Sequence, residues 1–258
     1  SFVCFPYINK AHAAGDAEPI PHLHWHFEGI TGTYDKNALQ RGFQVYREVC
    51  AACHSMDLLY FRDLQALGYN EAQIKNLASE YEVIDGPDDE GEMFSRPAIP
   101  SDRFPNPYPN KQAAMYANNG AHPPDMSLLV KARHGGANYI YAILTGYEEG
   151  HEKDLMDGQY WNKYMPGHVI AMAPPLSDGQ VSYQDGSPET ISQYSKDVSE
   201  FLTWASEPHM EARKYTGIKE CIELDPDKKY KIVFLEKTRN DEGNVCILYE
   251  FKGDWNVW

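Results

Sequence analysis

Val45-Tyr46-Arg47-Glu48-Val49-Cys50-Ala51-Ala52-Cys53-His54-Ser55-Met56 is the stretch that decides how the rest of the chain is read. Within it Cys50, Cys53 and His54 form the C-x-x-C-H pattern, in which two thiols add across the vinyl groups of haem and the adjacent imidazole offers an axial nitrogen to iron. Two residues between the cysteines on a helical turn set both sulfurs on one side of a porphyrin. The following residue then brings its ring under the metal. A zinc site and a redox dithiol are the alternatives. Zinc wants four ligands, and no second Cys-x-x-Cys accompanies this one. A dithiol of the thioredoxin kind follows a strand and opens a helix. Here the residues before the cysteines already repeat as a helix does, with Leu39, Phe43, Tyr46 and Cys50 spaced by four, three and four and Asp35 placed to cap. Haem attachment is therefore the favoured chemistry. Phe43 and Tyr46 are expected in the core rather than against the haem, the usual place for aromatics at helical spacing.

The 258 residues are enough for one elaborated domain or two small ones, and 42% apolar with 13% aromatic content is globular. Lys and Arg number 23 against 38 Asp and Glu, a formal charge of −15 that repels nucleic acid and anionic headgroups and attracts basic partners. No segment nears the roughly 20 apolar residues of a membrane-spanning helix. Five cysteines are too few to build a disulfide scaffold of this length.

A haem iron held by His54 needs a second axial ligand or an open position. Among eight methionines, Met172 stands in Ile170-Ala171-Met172-Ala173-Pro174-Pro175-Leu176, an apolar loop stiffened by prolines, which fix the backbone and remove amide donors. A methionine filling a gap in the core is the plain alternative. Met115 and Met126 sit on expected helices and are read as core. Other helices are expected from the capping box at Asn70–Gln73, after Asn110 as far as Gly120, over Met126–Arg133 ending at Gly135 and Gly136, over Asn138–Leu144, and after Ser187-Pro188-Glu189. Strand signals are sparse until the C-terminal end, so the body reads as mainly α with long loops.

The haem segment resembles that of the cytochrome c1 family, the haem subunit of ubiquinol–cytochrome c reductase (the cytochrome bc1 complex). Further blocks are similar in the same order: Asp85–Phe94, Pro107–Asn110, Gly120–Ser127, Lys131–Gly136, Leu144–Tyr147, Ala171–Pro175 and Phe201–Pro208. The resemblance covers residues 22–219 and implies an enlarged class I cytochrome c-like haem domain. It implies one covalent haem c attached at Cys50 and Cys53, with His54 and Met172 as axial ligands. Arg133 would neutralise a haem propionate, a use for which its fork and permanent charge are apt, although a solvated cation at a helix end is the plain alternative. Tyr139 is a further candidate at the same end of the haem, and His134 is read as structural.

Function follows as an expectation. The resemblance implies a one-electron carrier that receives electrons from the Rieske iron–sulfur protein, passes them to soluble basic cytochrome c, and is associated with cytochrome b and other subunits. Its expected place is the intermembrane-space side of the mitochondrial inner membrane, or the periplasmic face of the bacterial one. Asp85, Asp88, Asp89, Glu90 and Glu92, with Glu148, Glu149, Glu152 and Asp154 as a second group, are candidates to steer a basic partner. Solvated acidic loops are the alternative. A free soluble c-type cytochrome and, from another class, a haem peroxidase are the competing functions.

Two departures from the family's pattern stand out. The family carries an anchor helix after a segment seen here as Glu207-Pro208, Arg213-Lys214 and Gly217, but polar residues Glu220–Asp227 follow, so membrane association is expected through the complex. Residues 220–258 read as a polar tail with a β-hairpin formed by Tyr230–Glu236 and Val245–Phe251 around Asn240–Gly243. Cys221 and Cys246 are candidates to bridge those strands. At the other end, residues 1–21 read as a leader remnant or extended arm, because Ala11-His12-Ala13 has the form of a signal cleavage site. Cys4 in that stretch is given no role, and His22, His24 and His26 are read as exposed loop histidines rather than metal ligands.

Overall fold

Asp35 opens the first helix by accepting a hydrogen bond from the Asn37 amide, and the apolar spacing read from the sequence becomes the buried face of α1 (Lys36–Glu48). The computed structural model describes residues 17–151, 155–222, 231–239 and 245–252; for 218–222 and the two C-terminal segments it describes the backbone alone. Residues 1–16 of the expected leader segment, Cys4 among them, lie outside these residues, as do Glu152, Asp154 and the Asn240–Gly243 turn. The chain divides into two compact units, one ending at Pro208 and the other beginning at His209.

The first unit is helical, with two small antiparallel pairs set in its long loops. A 3-10 turn (Cys50–Ala52) follows α1, and a second (Phe61–Leu67) precedes α2 (Glu71–Ser79). The expected capping box is present at α2: the Gln73 amide donates to Asn70 Oδ1 and the Asn70 amide to Gln73 Oε1, both at 2.9 Å. After it, β1 (Glu82–Asp85) pairs with β2 (Phe94–Pro97), so the first acidic cluster lies across the end of a hairpin that the sequence did not announce. Asn110 caps α3 (Lys111–Ala117), and α4 (Gly136–Thr145) ends at Gly146. A two-residue pair, β3 (Tyr160–Trp161) with β4 (Val169–Ile170), leads to the Met172 loop.

The last helix of this unit, α5 (Ile191–Ser206), is buried almost all round. Thr190, the residue directly after the expected Ser187-Pro188-Glu189 signal, caps it. It crosses α1 so closely that a Cβ placed on Gly42 would stand 2.1 Å from the Asp197 carbonyl oxygen. Around that crossing, Phe43 and Tyr46 pack on Phe201 with ring centroids 5.6 and 5.7 Å apart, and both also meet Phe104. They are core residues, as their spacing suggested. Several of the polar residues α5 buries are partnered, although Ser195 Oγ and Glu200 Oε2 have no hydrogen-bond partner among the described residues. Arg41 of α1 forks onto both oxygens of Asp197 at 2.9 Å and reaches Asp185, and Glu200 Oε1 accepts from the Asp35 amide at 3.1 Å.

One expected helix is absent. Residues 126–135 form successive turns, and Gly135, with φ of +89°, opens α4 instead of closing a helix before it. The cause is competition for the first-turn groups. Met126 donates its amide to Ser55 O, and Asp125 and Ser127 spend their side chains on the Ser55–Leu58 loop. What the sequence shows as a capping signal is used for tertiary tethering.

In the second unit α6 (Met210–Ile222) is followed by antiparallel β5 (Lys231–Arg239) and β6 (Val245–Lys252), the expected hairpin with a register shift between Phe234 and Glu236. Cys246 lies on β6 opposite Thr238, but Cys221 lies on α6 and not on a strand. The helix runs on through it, past Gly217, and no proline lies between Met210 and Pro226 to stop it earlier. Among the described residues no helix is long and apolar enough to cross a membrane.

Candidate haem site

The tight turn after α1 is what assembles the site. The amides of Cys53 and His54 both donate to the Cys50 carbonyl, at 3.1 and 3.0 Å, which compacts the five-residue motif into one turn at the end of the buried helix. His54 is then fixed from 70 residues away: its Nδ1 lies 2.8 Å from Pro124 O. A carbonyl can only accept, so Nδ1 carries the proton and Nε2 presents its lone pair. Burial also pushes the imidazole's pKa below its ordinary value, which keeps the ring neutral as a ligand must be.

Asp125, next to Pro124, organises the loop beyond the histidine. Its Oδ2 accepts from the Ser55 hydroxyl and the Asp57 amide at 2.8 Å, and its Oδ1 from the Ser127 amide at 2.9 Å. Burial works to raise its pKa, but the hydrogen bonds from Asp57, Ser127 and Ser55 outweigh that and hold the carboxyl below its usual range.

Five of the six residues singled out by sequence line one cavity: Cys50, His54, Arg133, Tyr139 and Met172. The remaining walls are apolar, supplied by Met126 and Leu129 of the turn segment, Ile140, Ile143 and Leu144 of α4, and Val198 and Leu202 of α5. Cys53, the sixth, belongs to the same turn as Cys50 and is half-buried, with the Tyr108 hydroxyl 3.9 Å from its sulfur. Both cysteines are free thiols, and burial pushes that of Cys50 up to about 12. Arg133 is exposed at the cavity edge; Nη1 meets only the neighbouring Ala132 carbonyl, at 3.3 Å, and among the described residues it forms no ion pair. Among the described residues no group of three or more His, Cys, Asp and Glu side chains is arranged to hold a metal ion. His24 and His26 instead lie beside Glu28 and Glu200, at 3.7 and 3.6 Å.

These residues suit a c-type haem. Two thiols and a neutral imidazole leave one turn, a thioether lies in the same cavity, the remaining walls are apolar, and a guanidinium with no ion pair among the described residues stands at the rim. Sequence reasoning missed three contributors. Met126 is buried as expected but also lines the cavity; tethered through its amide to Ser55, it belongs to the His54 side of the chain path. The Pro124 carbonyl carries no side-chain signal at all. Tyr147 donates its hydroxyl to the Met172 carbonyl at 3.0 Å, and burial pushes its phenol pKa up, so it stays a donor.

The acidic clusters are partly consumed by the fold. Arg96 binds Asp85 and, at 2.6 Å, Asp102, while Asp88 Oδ1 accepts from the Glu90 and Glu92 amides at 2.9 Å. Asp89, Glu90 and Glu92 remain exposed, and Glu148 pairs with Lys163 at 3.2 Å.

With this geometry in view, the similarity to known proteins is specific. The model of the Cytochrome C1 family matches residues 25–227. The mitochondrial haem protein cytochrome c1-2 of Solanum tuberosum is 50% identical, over 83% of this chain and 83% of its own. Cytochrome c1 of Rhodospirillum rubrum is 48% identical over 78% and 80%, and the mitochondrial cytochrome b-c1 complex catalytic subunit of Candida albicans is 48% identical over 79% and 72%.

Proposed function

This chain belongs to the cytochrome c1 family, and on that footing we propose that it is the one-electron carrier of a quinol–cytochrome c reductase complex, with Cys50 and Cys53 as thioether attachments and His54 and Met172 as axial ligands. Haem c bound there supplies a one-electron couple, its potential raised by Met/His rather than bis-nitrogen ligation. The chain's own residues do the rest. Pro124 O fixes the tautomer and plane of His54. With His54 and Met172 both holding the iron, no position would be open to oxygen or peroxide, which would separate this function from a peroxidase. Leu129, Ile140, Ile143, Val198 and Leu202 keep water from the buried face, favouring the less charged state. Arg133 would meet a haem carboxylate at the rim, and Tyr139 lines the same cavity as a lesser candidate.

In the complex the chain takes electrons from the Rieske protein and delivers them to soluble basic cytochrome c beside cytochrome b, at the outer face of the mitochondrial inner membrane or its bacterial equivalent. The convergence of Cys50, His54, Met172 and Arg133 on one apolar cavity carries this reading. Denaturation and solvent extraction of the purified holoprotein test the attachment. Haem should stay with the chain, and in C50A or C53A it should be held through a single thioether, shifting the reduced spectrum. Complete extraction from the unmodified protein contradicts the proposal.

A further inference from the structure

The Met172 loop leaves β4 two residues before the thioether and then meets Pro174 and Pro175, which have no amide hydrogen to anchor it. We propose that Tyr147 is the positioning residue for the methionine ligand: its hydroxyl, donated to the carbonyl oxygen of Met172 itself, ties the loop to the cavity wall and keeps the thioether on the metal. This rests on the assignment of Met172 made above.

The tie is rigid at its other end. Tyr147 directly follows Gly146, the residue that closes α4, and α4 supplies Ile140, Ile143 and Leu144 to the cavity. At Gly146 there is no room for a side chain: a Cβ would stand 2.5 Å from Tyr164 Cδ2 and 2.6 Å from Asn162 Oδ1. Tyr147 also bridges antiparallel to Asn162, and the Lys163 amide donates to Gly146 O at 2.9 Å. Fully buried Asn162 donates through Nδ2 to Ile143 O at 2.8 Å and accepts the Tyr164 amide on Oδ1. Asn162 follows β3, whose partner β4 leads into the Met172 loop. A closed circuit results, from α4 through Tyr147 to Met172, back along β4 and β3 to Asn162, and onto α4 again. The phenol hydroxyl is the link that completes it on the ligand's side.

The test uses the full chain carrying its covalent haem. Y147F removes one hydroxyl and keeps the ring. It should retain the methionine–iron charge-transfer band when cold, lose it at lower temperature than the unmodified protein, and bind cyanide in the ferric state roughly fivefold faster, the equivalent of one hydrogen bond. Y141F is the control, since it removes a phenol bonded to Ser192 at 2.9 Å on another face. It should leave both readouts unchanged. Equal cyanide rates and band stability in Y147F and the unmodified protein overturn the proposal. M172L separates the two levels: if the band survives in M172L, the ligand assignment itself fails; if M172L loses it and Y147F behaves as unmodified, only the positioning role fails. Should Y147F yield no holoprotein, hydrogen exchange at the Tyr147 hydroxyl in the unmodified chain decides. Protection that ends when cyanide displaces the band supports the tie, and free exchange with the band intact overturns it.

Discussion

His54 Nδ1 lies 2.8 Å from the carbonyl oxygen of Pro124, so the ring that follows the second cysteine takes its orientation from a residue 70 positions away. The carbonyl is held in turn by its neighbour, because Asp125 gathers the Ser55 hydroxyl and the Asp57 and Ser127 amides.

Asp125→Ala should therefore loosen the Pro124 carbonyl as well as the loop. Leaving part-buried donors unmatched costs about 2 kcal/mol. Thermal unfolding of the holoprotein should show that loss, and the haem spectrum should broaden with it. A variant as stable as the unmodified chain would remove Asp125 from the account.

Glu200 supplies a pH signature. Burial is the largest influence on it and raises its pKa, although the Asp35 amide and His26 act the other way. The sign follows from linkage: a carboxyl whose folded pKa exceeds its unfolded value stabilises most below the unfolded value, and that contribution is lost as pH rises through the folded one. Glu200→Gln should flatten the fall in stability as pH rises above the ordinary carboxyl range of about 4. Unfolding midpoints of the two proteins over that rise make the comparison, and parallel curves would count against the buried carboxyl.

Gly42 is where α1 and α5 touch. Its Ala variant improves helix propensity by up to about 1 kcal/mol but drives a methyl into the Asp197 backbone, so the net effect should be a loss of about 1–3 kcal/mol. A stabilised Gly42→Ala protein, measured by denaturant unfolding, would show that the crossing is looser than described.

Electron delivery to basic cytochrome c should slow as salt rises, and the structure narrows which acids matter. Asp85 is bound by Arg96, and Asp88 is bound into its own turn. Neutralising Asp89, Glu90 and Glu92 together should lower the association rate and the salt slope without changing stability. An unchanged slope in stopped-flow reduction would place the docking charge elsewhere.

Much of this was legible in the sequence because the signals were local. The C-x-x-C-H turn, the Asp35 cap, the Asn70 box and the Met172-Pro-Pro loop each declare their chemistry within a few residues, and the family blocks placed Arg133 beside them. The missed features share one physical character. The turns at 126–135 look helical until Asp125 and Ser127 are seen bonding a loop 70 residues distant. No position of the β1–β2 hairpin is fully buried, and Glu82-Val83-Ile84-Asp85 and Phe94-Ser95-Arg96-Pro97 do not alternate apolar with polar residues as a half-buried strand does. A backbone carbonyl such as Pro124 O or Met172 O leaves no trace in the identity of its residue.

With haem bound, His54 and Met172 would close the iron between them. Carbon monoxide added to the reduced holoprotein, compared with M172L over the same range, tests it most directly. Binding to the unmodified chain should be negligible, M172L should bind readily, and the midpoint potential of that variant should be lower. Rapid carbon monoxide binding to the unmodified protein, or an unchanged potential in M172L, would contradict it.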